Sequence, residues 1–86
     1  DLTWSDKRLK KDIVSIEDKN ILEKIKQLNP VKFKWKENEM QDMGFIAQEI
    51  KAIFPEAVEE HQNGYLHIHY NRLMAYLVMA MKQLNN

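Results

Sequence analysis

The chain has 86 residues, with thirteen basic and thirteen acidic side chains, so its formal charge is zero. This length makes one domain that buries only about 60–65% of the surface its unfolded form exposes, so its own stability is modest. The charge balance argues against nucleic acid as a partner, the lack of cysteine excludes disulfides and thiolate metal sites, and no apolar run can span a bilayer.

Residues 1–13 show no single period and are expected to form an extended or bent arm. Ile13 and Ile16, with charged neighbours, are expected to dock on the core. Asn20 followed by Glu23 reads as an N-cap with a capping-box partner. Ile21, Leu22, Ile25 and Leu28 then recur at helical spacing until Asn29-Pro30 stops the helix. Val31, Phe33 and Trp35 alternate with Lys32, Lys34 and Lys36, which predicts a strand with Phe33 and Trp35 in the core.

Residues 37–42 read as a polar loop, and 43–46 as a short apolar piece in which Gly44 permits a bend or close backbone approach. A short helix is expected over 47–54, with Ile46, Ile50 and Ile53 on one stripe and Pro55 ending it. Ala57-Val58 and the run 65–69 flank Asn63-Gly64, which predicts a hairpin. The last element is a helix over 71–84 with Asn71 as its N-cap. No repeat or flexible linker divides the chain, and the start at Asp1 points to a piece of a longer polypeptide.

Tyr70, Leu73, Leu77, Ala80 and Leu84 are spaced three, four, three, four, a heptad seam. Every residue from 73 to 81 is apolar, so the other faces of this helix ask for burial too. A chain this short cannot easily surround its own terminal helix. One side is expected to pack on the domain and the seam to meet other copies. The methionines here read as adaptable core filler rather than as metal ligands.

The run 4–13 sets Ser5 five residues before Lys10, among Lys7, Arg8 and Lys11. A serine and a lysine suffice for peptide-bond chemistry once the amine is neutral, and an ordinary lysine, with a pKa of about 10.4, is protonated near pH 7. Burial and neighbouring cations favour the neutral amine, with Lys7, Arg8 and Lys11 acting in that direction and Asp6 and Asp12 opposing it. In a strand, residues five apart face opposite sides at roughly 16 Å. In a helix they are about 140° apart around the axis. Ser5 and Lys10 therefore meet only through a bend, or if a neighbouring subunit supplies the lysine. Without more context, Ser5 reads equally as a cap or a solvated turn residue, and the cations as a solvated face.

His67 and His69 share a strand face at metal-ligand spacing, with His61 near in sequence. No carboxylate or cysteine completes an obvious set, so they read as ordinary strand residues and no metal site is expected.

Five segments together resemble the peptidase S74 family, the C-terminal intramolecular chaperone domain of phage tail spike, tail fibre and neck appendage proteins. They are residues 5–13 (SDKRLKKDI), 28–36 (LNPVKFKWK), 44–50 (GFIAQEI), 54–58 (FPEAV) and 68–73 (IHYNRL). The resemblance implies an α+β domain of short strands and helices whose long C-terminal helix forms a homotrimeric bundle. It divides the chain into a residual upstream segment 1–4, a body 5–69 and an oligomerisation helix 70–86. It also implies self-cleavage at Trp4–Ser5, with Ser5 as nucleophile and Lys10 as general base. Arg8, Gln48, Glu49, His67 and His69 are carried over as supporting residues, and no cofactor is called for. The partners implied are two further copies and an upstream fibrous domain of the same polypeptide, with neither membrane nor nucleic acid. The setting implied is a phage virion precursor assembled in the host cytoplasm, the cut domain being absent from the mature particle. Two other readings stand beside it: a trimerisation module that does not cut, and a basic-arm adaptor for nucleic acid or an acidic partner.

Overall fold

The computed structural model describes residues 4–85, so of the upstream segment 1–4 only Trp4 is included, and Asn86 lies outside the described residues. Residues 4–17 form an exposed arm interrupted by one 3-10 turn, Lys7–Leu9. Ile13 and Ile16 are exposed on it and do not dock as expected.

Helix α1 spans Ile21–Ile25. Asn20 stands at the N-cap position as expected, but its side chain makes no capping bond, and Asp18 closes the turn before it. Its Oδ1 accepts from the Asn20 N–H at 2.8 Å, and its carbonyl accepts from the Ile21 N–H at 3.3 Å. An aspartate whose side chain bonds the backbone two residues on makes its own turn, which sets the start of the helix. Lys24 Nζ, one turn into α1, donates to Asp18 Oδ2 at 2.6 Å. That bond, with the Asn20 N–H second, holds the Asp18 carboxyl below its ordinary range.

Strand β1, Val31–Lys34, pairs antiparallel with β2, Gln41–Gly44, from Val31 opposite Gly44 to Lys34 opposite Gln41. Part of the expected polar loop is thus a strand. The reversal is closed by the Trp35 N–H donating to the Met40 carbonyl at 3.0 Å, with Glu39 in the left-handed region at φ 59°. Val31 and Phe33 are half-buried and Lys32 and Lys34 exposed, as the alternation predicts. Trp35 is not core: it is 52% exposed, edge-on to Phe33, and its Nε1 donates to Asp42 Oδ2 at 3.2 Å.

Helix α2, Ala47–Ile53, buries Ile50, while Ile46 precedes the helix and is exposed. Pro55–Ala57 adds a 3-10 turn. Strands β3, Val58–Glu60, and β4, Leu66–Ile68, form the second hairpin. Helix α3 spans Tyr70–Leu84 and begins at His69, not at Asn71, because the His69 carbonyl accepts from the Arg72 and Leu73 N–H groups.

The core is Ile21, Ile50, Phe54, Ala57, Leu73 and Ala80, drawn from α1, α2, the second 3-10 turn and α3. Each large side chain there contributes about 1.5–3 kcal/mol by leaving water. Phe54 stacks on Tyr76 at 4.5 Å, and the Tyr76 hydroxyl donates to Glu56 Oε1. Burial, then that carboxylate, pushes the Tyr76 phenol up to about 12. The radius of gyration is 15.2 Å, against about 12 Å for a compact domain of this length. A single chain is therefore an open assembly around a small core, and the fold is α+β.

Two members of the expected seam are misplaced. Leu73 and Ala80 are 1% and 4% exposed, facing this chain's own core. The stripe left open on α3 is instead Tyr70, Met74, Val78, Met81 and Leu84. Periodicity alone cannot choose between two seams on a helix that is apolar all round.

Candidate functional site

The arm bends where it has to for Ser5 and Lys10 to meet. Asp6 sits in extended backbone and caps the Lys7–Leu9 turn, its Oδ1 accepting from the Arg8 N–H at 2.8 Å. The Leu9 N–H donates to the Asp6 carbonyl and the Lys10 N–H to the Lys7 carbonyl, closing the turn. Lys10 is thereby brought back toward Ser5, and its Nζ donates to Ser5 Oγ at 2.6 Å. The hydroxyl hydrogen can rotate, so the same contact serves transfer in either direction once the amine is neutral.

Arg8 does something other than add free positive charge near Lys10. Its guanidinium grips the Asp6 carboxylate with Nε on Oδ1 at 3.1 Å and Nη2 on Oδ2 at 2.8 Å. That pairing holds the Asp6 carboxyl below its usual range and raises Arg8 further. An exposed pair of this kind adds little stability, but a two-point grip fixes geometry. Among the described residues, every hydrogen bond made by residues 4–14 stays within that stretch.

The other expected supporting residues lie elsewhere. Gln48 and Glu49 occupy the first turn of α2, and among the described residues no hydrogen bond joins either side chain to Ser5 or Lys10. Gln48 borders an open groove of about 1010 Å³ walled by Trp35, Phe45, Tyr65 and Tyr70. No helix of the described residues is long and apolar enough to cross a membrane.

His67 and His69 fall on the second hairpin, where the histidines do find a carboxylate. Glu59 is the register partner of His67, and one of its oxygens lies 3.5 Å from His67 Nε2. His61 joins the same group at the hairpin tip. An acid thus completes the histidine set, contrary to expectation, because the strand pairing fixed by the loop sets Glu59 opposite His67. The His61 N–H donates to the Tyr65 carbonyl, so the loop holds three residues, with Gly64 at φ 86°. A two-residue loop would shift the register by one and bring Glu60 opposite His67.

A family model described as peptidase S74, chaperone of endosialidase, matches residues 5–59. The match begins at Ser5 and runs through the arm, both hydrogen-bonded sides of the first hairpin, α2 and Glu59. No curated protein matches the chain.

Proposed function

This chain belongs to the peptidase S74 family, chaperone of endosialidase, and on that premise we propose that it is an intramolecular chaperone that trimerises, folds an upstream fibrous domain and releases itself by cutting Trp4–Ser5. The observation that carries the cutting is the 2.6 Å contact between Lys10 Nζ and Ser5 Oγ.

Ser5 Oγ attacks the Trp4 carbonyl carbon while its proton passes to neutral Lys10. The Trp4–Ser5 C–N bond then breaks, and Lys10 returns the proton to the departing Ser5 nitrogen. This leaves Trp4 as an ester on Ser5 Oγ beside a free α-amine. Water hydrolyses the ester, restoring the Ser5 hydroxyl and leaving a carboxyl group on Trp4. Arg8 acts through Asp6, by holding the capped turn that presents Lys10.

Trimerisation is supported by what a single chain leaves in water. Tyr70, Met74, Val78, Met81 and Leu84 follow one another three or four residues apart along α3, and all are exposed. Trp4, Leu9, Ile13 and Val14 add exposed apolar surface on the arm. Surface of this extent is unusual on a monomer. Packing against two copies would cover it, and would also shield the Ser5–Lys10 contact from solvent. The reading carries with it a phage virion precursor as the setting.

The test is expression with the upstream segment attached, followed by intact-mass measurement and light scattering. A trimer with a new N-terminus at Ser5, lost in Ser5→Ala and in Lys10→Ala, is the expected result. An uncut trimer would mean a structural trimerisation module, and a monomer at micromolar concentration would overturn both.

A further inference from the structure

We infer that Glu59, His61 and His67 form a site for one divalent transition-metal ion of the zinc class, on the solvent side of the second hairpin. The sequence period puts these donors together. Side chains two apart on a strand share a face, so Glu59 and His61 project with His67 and His69 once Glu59 is paired with His67. Val58, Leu66 and Ile68 take the opposite side and are half-buried, Val58 and Ile68 packing against the core.

The donor spacing suits a small cation. Glu59 Oε2 lies 3.5 Å from His67 Nε2 and 3.9 Å from His61 Nε2, and one ligand atom from each residue falls within 4.8 Å of the others. Bonds of about 2.0–2.1 Å in a tetrahedron place ligand atoms about 3.3 Å apart. The two edges from Glu59 therefore have to contract by only a fraction of an ångström. His61 Nε2 also touches His67 Nδ1. Binding separates these two rings, and His61, half-exposed at the hairpin tip, has the freedom to swing.

The surroundings favour an ion over an ordinary ion pair. Among the described residues, the charged contacts of Glu59 are all to imidazoles, while the neighbouring Glu60 is taken by Lys51 at 3.8 Å. His69 is a positioning residue. Its Nε2 lies 3.7 Å from the other Glu59 oxygen, its side chain is 18% exposed, and its N–H is anchored on the Ala57 carbonyl. It holds the carboxylate from behind, as outer-shell partners of metal ligands do. Two imidazoles and a carboxylate leave a fourth position open to solvent, a donor set that suits zinc and its neighbours and not calcium.

The test uses the tag-free chain, stripped with chelator and titrated with Zn²⁺ by calorimetry at neutral pH. One ion per chain is expected, with affinity falling at least tenfold in His67→Ala and in His61→Ala. His69→Gln should keep the stoichiometry and weaken binding less. Cobalt(II) in the same site should show the intense visible bands of a tetrahedral ion, lost in E59Q. Circular dichroism confirms that each variant folds, as expected for side chains outside the buried core. No saturable uptake, or uptake unchanged in the E59Q/H67A double variant, would overturn the inference.

Discussion

Lys10 Nζ reaches Ser5 Oγ at 2.6 Å within one chain, across a turn capped by Asp6. Of the two routes open to the pair, the bend is sufficient, and no neighbouring subunit has to lend the amine. On the proposed mechanism a neighbour contributes by covering the arm instead.

That distinction gives the first prediction. Chains carrying Ser5→Ala and chains carrying Lys10→Ala, each with the upstream segment and assembled together, should yield no cut product by mass spectrometry. Each mutant arm lacks one partner, and the other chain's intact residue is committed to its own turn. Cut product from mixed trimers would show that the lysine acts across subunits.

The Asp6 cap should matter for rate and not for fold. Asp6→Ala removes the acceptor for the Arg8 N–H and releases the guanidinium, so the turn that returns Lys10 is held less often. Cleavage should slow several-fold while the melting temperature stays unchanged, because the arm adds nothing to the buried core. Arg8→Ala should give a smaller effect in the same direction.

Helix α3 has two apolar faces, and substitutions should separate them. Leu73→Ala opens a cavity beside Phe54 and Ile50 and should cost about 2–5 kcal/mol, which is enough to unfold so small a domain. Met74→Glu with Met81→Glu changes only exposed positions and should leave far-UV dichroism intact while abolishing self-association. Sedimentation velocity distinguishes the two outcomes.

The Tyr76–Glu56 bond predicts an alkaline weak point. Burial and the neighbouring carboxylate raise the phenol to about 12 in the folded chain, above the ordinary value of 10. A raised folded pKa means that this contribution is whole below about pH 10 and is lost as pH rises from 10 through 12. Tyr76→Phe should cost about 1 kcal/mol at neutral pH. It should also flatten the decline in urea midpoint between pH 10 and 12.

Where one local signal decided the conformation, the sequence was legible. Asn63-Gly64 marked the second hairpin, Pro55 ended α2, and the alternation of lysines with Val31 and Phe33 marked β1. Strand β2 was not legible: Gln41, Asp42 and Gly44 have little strand propensity, and they are extended because β1 offers them partners. The capping details were less legible. Asn20 holds the N-cap position without a side-chain bond, Asp18 occupying its N–H. The cap of α3 lies two residues before Asn71, because the His69 carbonyl accepts from Arg72 and Leu73. Ser5 and Lys10 were legible through the family resemblance of the run 5–13, but not the bend that joins them, which comes from the Asp6 cap. Glu59 was invisible as a partner of the histidines because a single residue of loop length decides which acid faces His67.

The self-contained bonding of the arm bears on timing. A contact made by local bonds can form as soon as those dozen residues leave the ribosome, long before the core around Phe54 exists. If Ser5 and Lys10 cut the chain, then, their approach is not the clock. Among the described residues no hydrogen bond reaches the Trp4 carbonyl oxygen, the atom that takes up negative charge as the bond breaks. Control therefore passes to whichever surface brings donors to that oxygen: the arm is cocked early, and the trigger lies outside it.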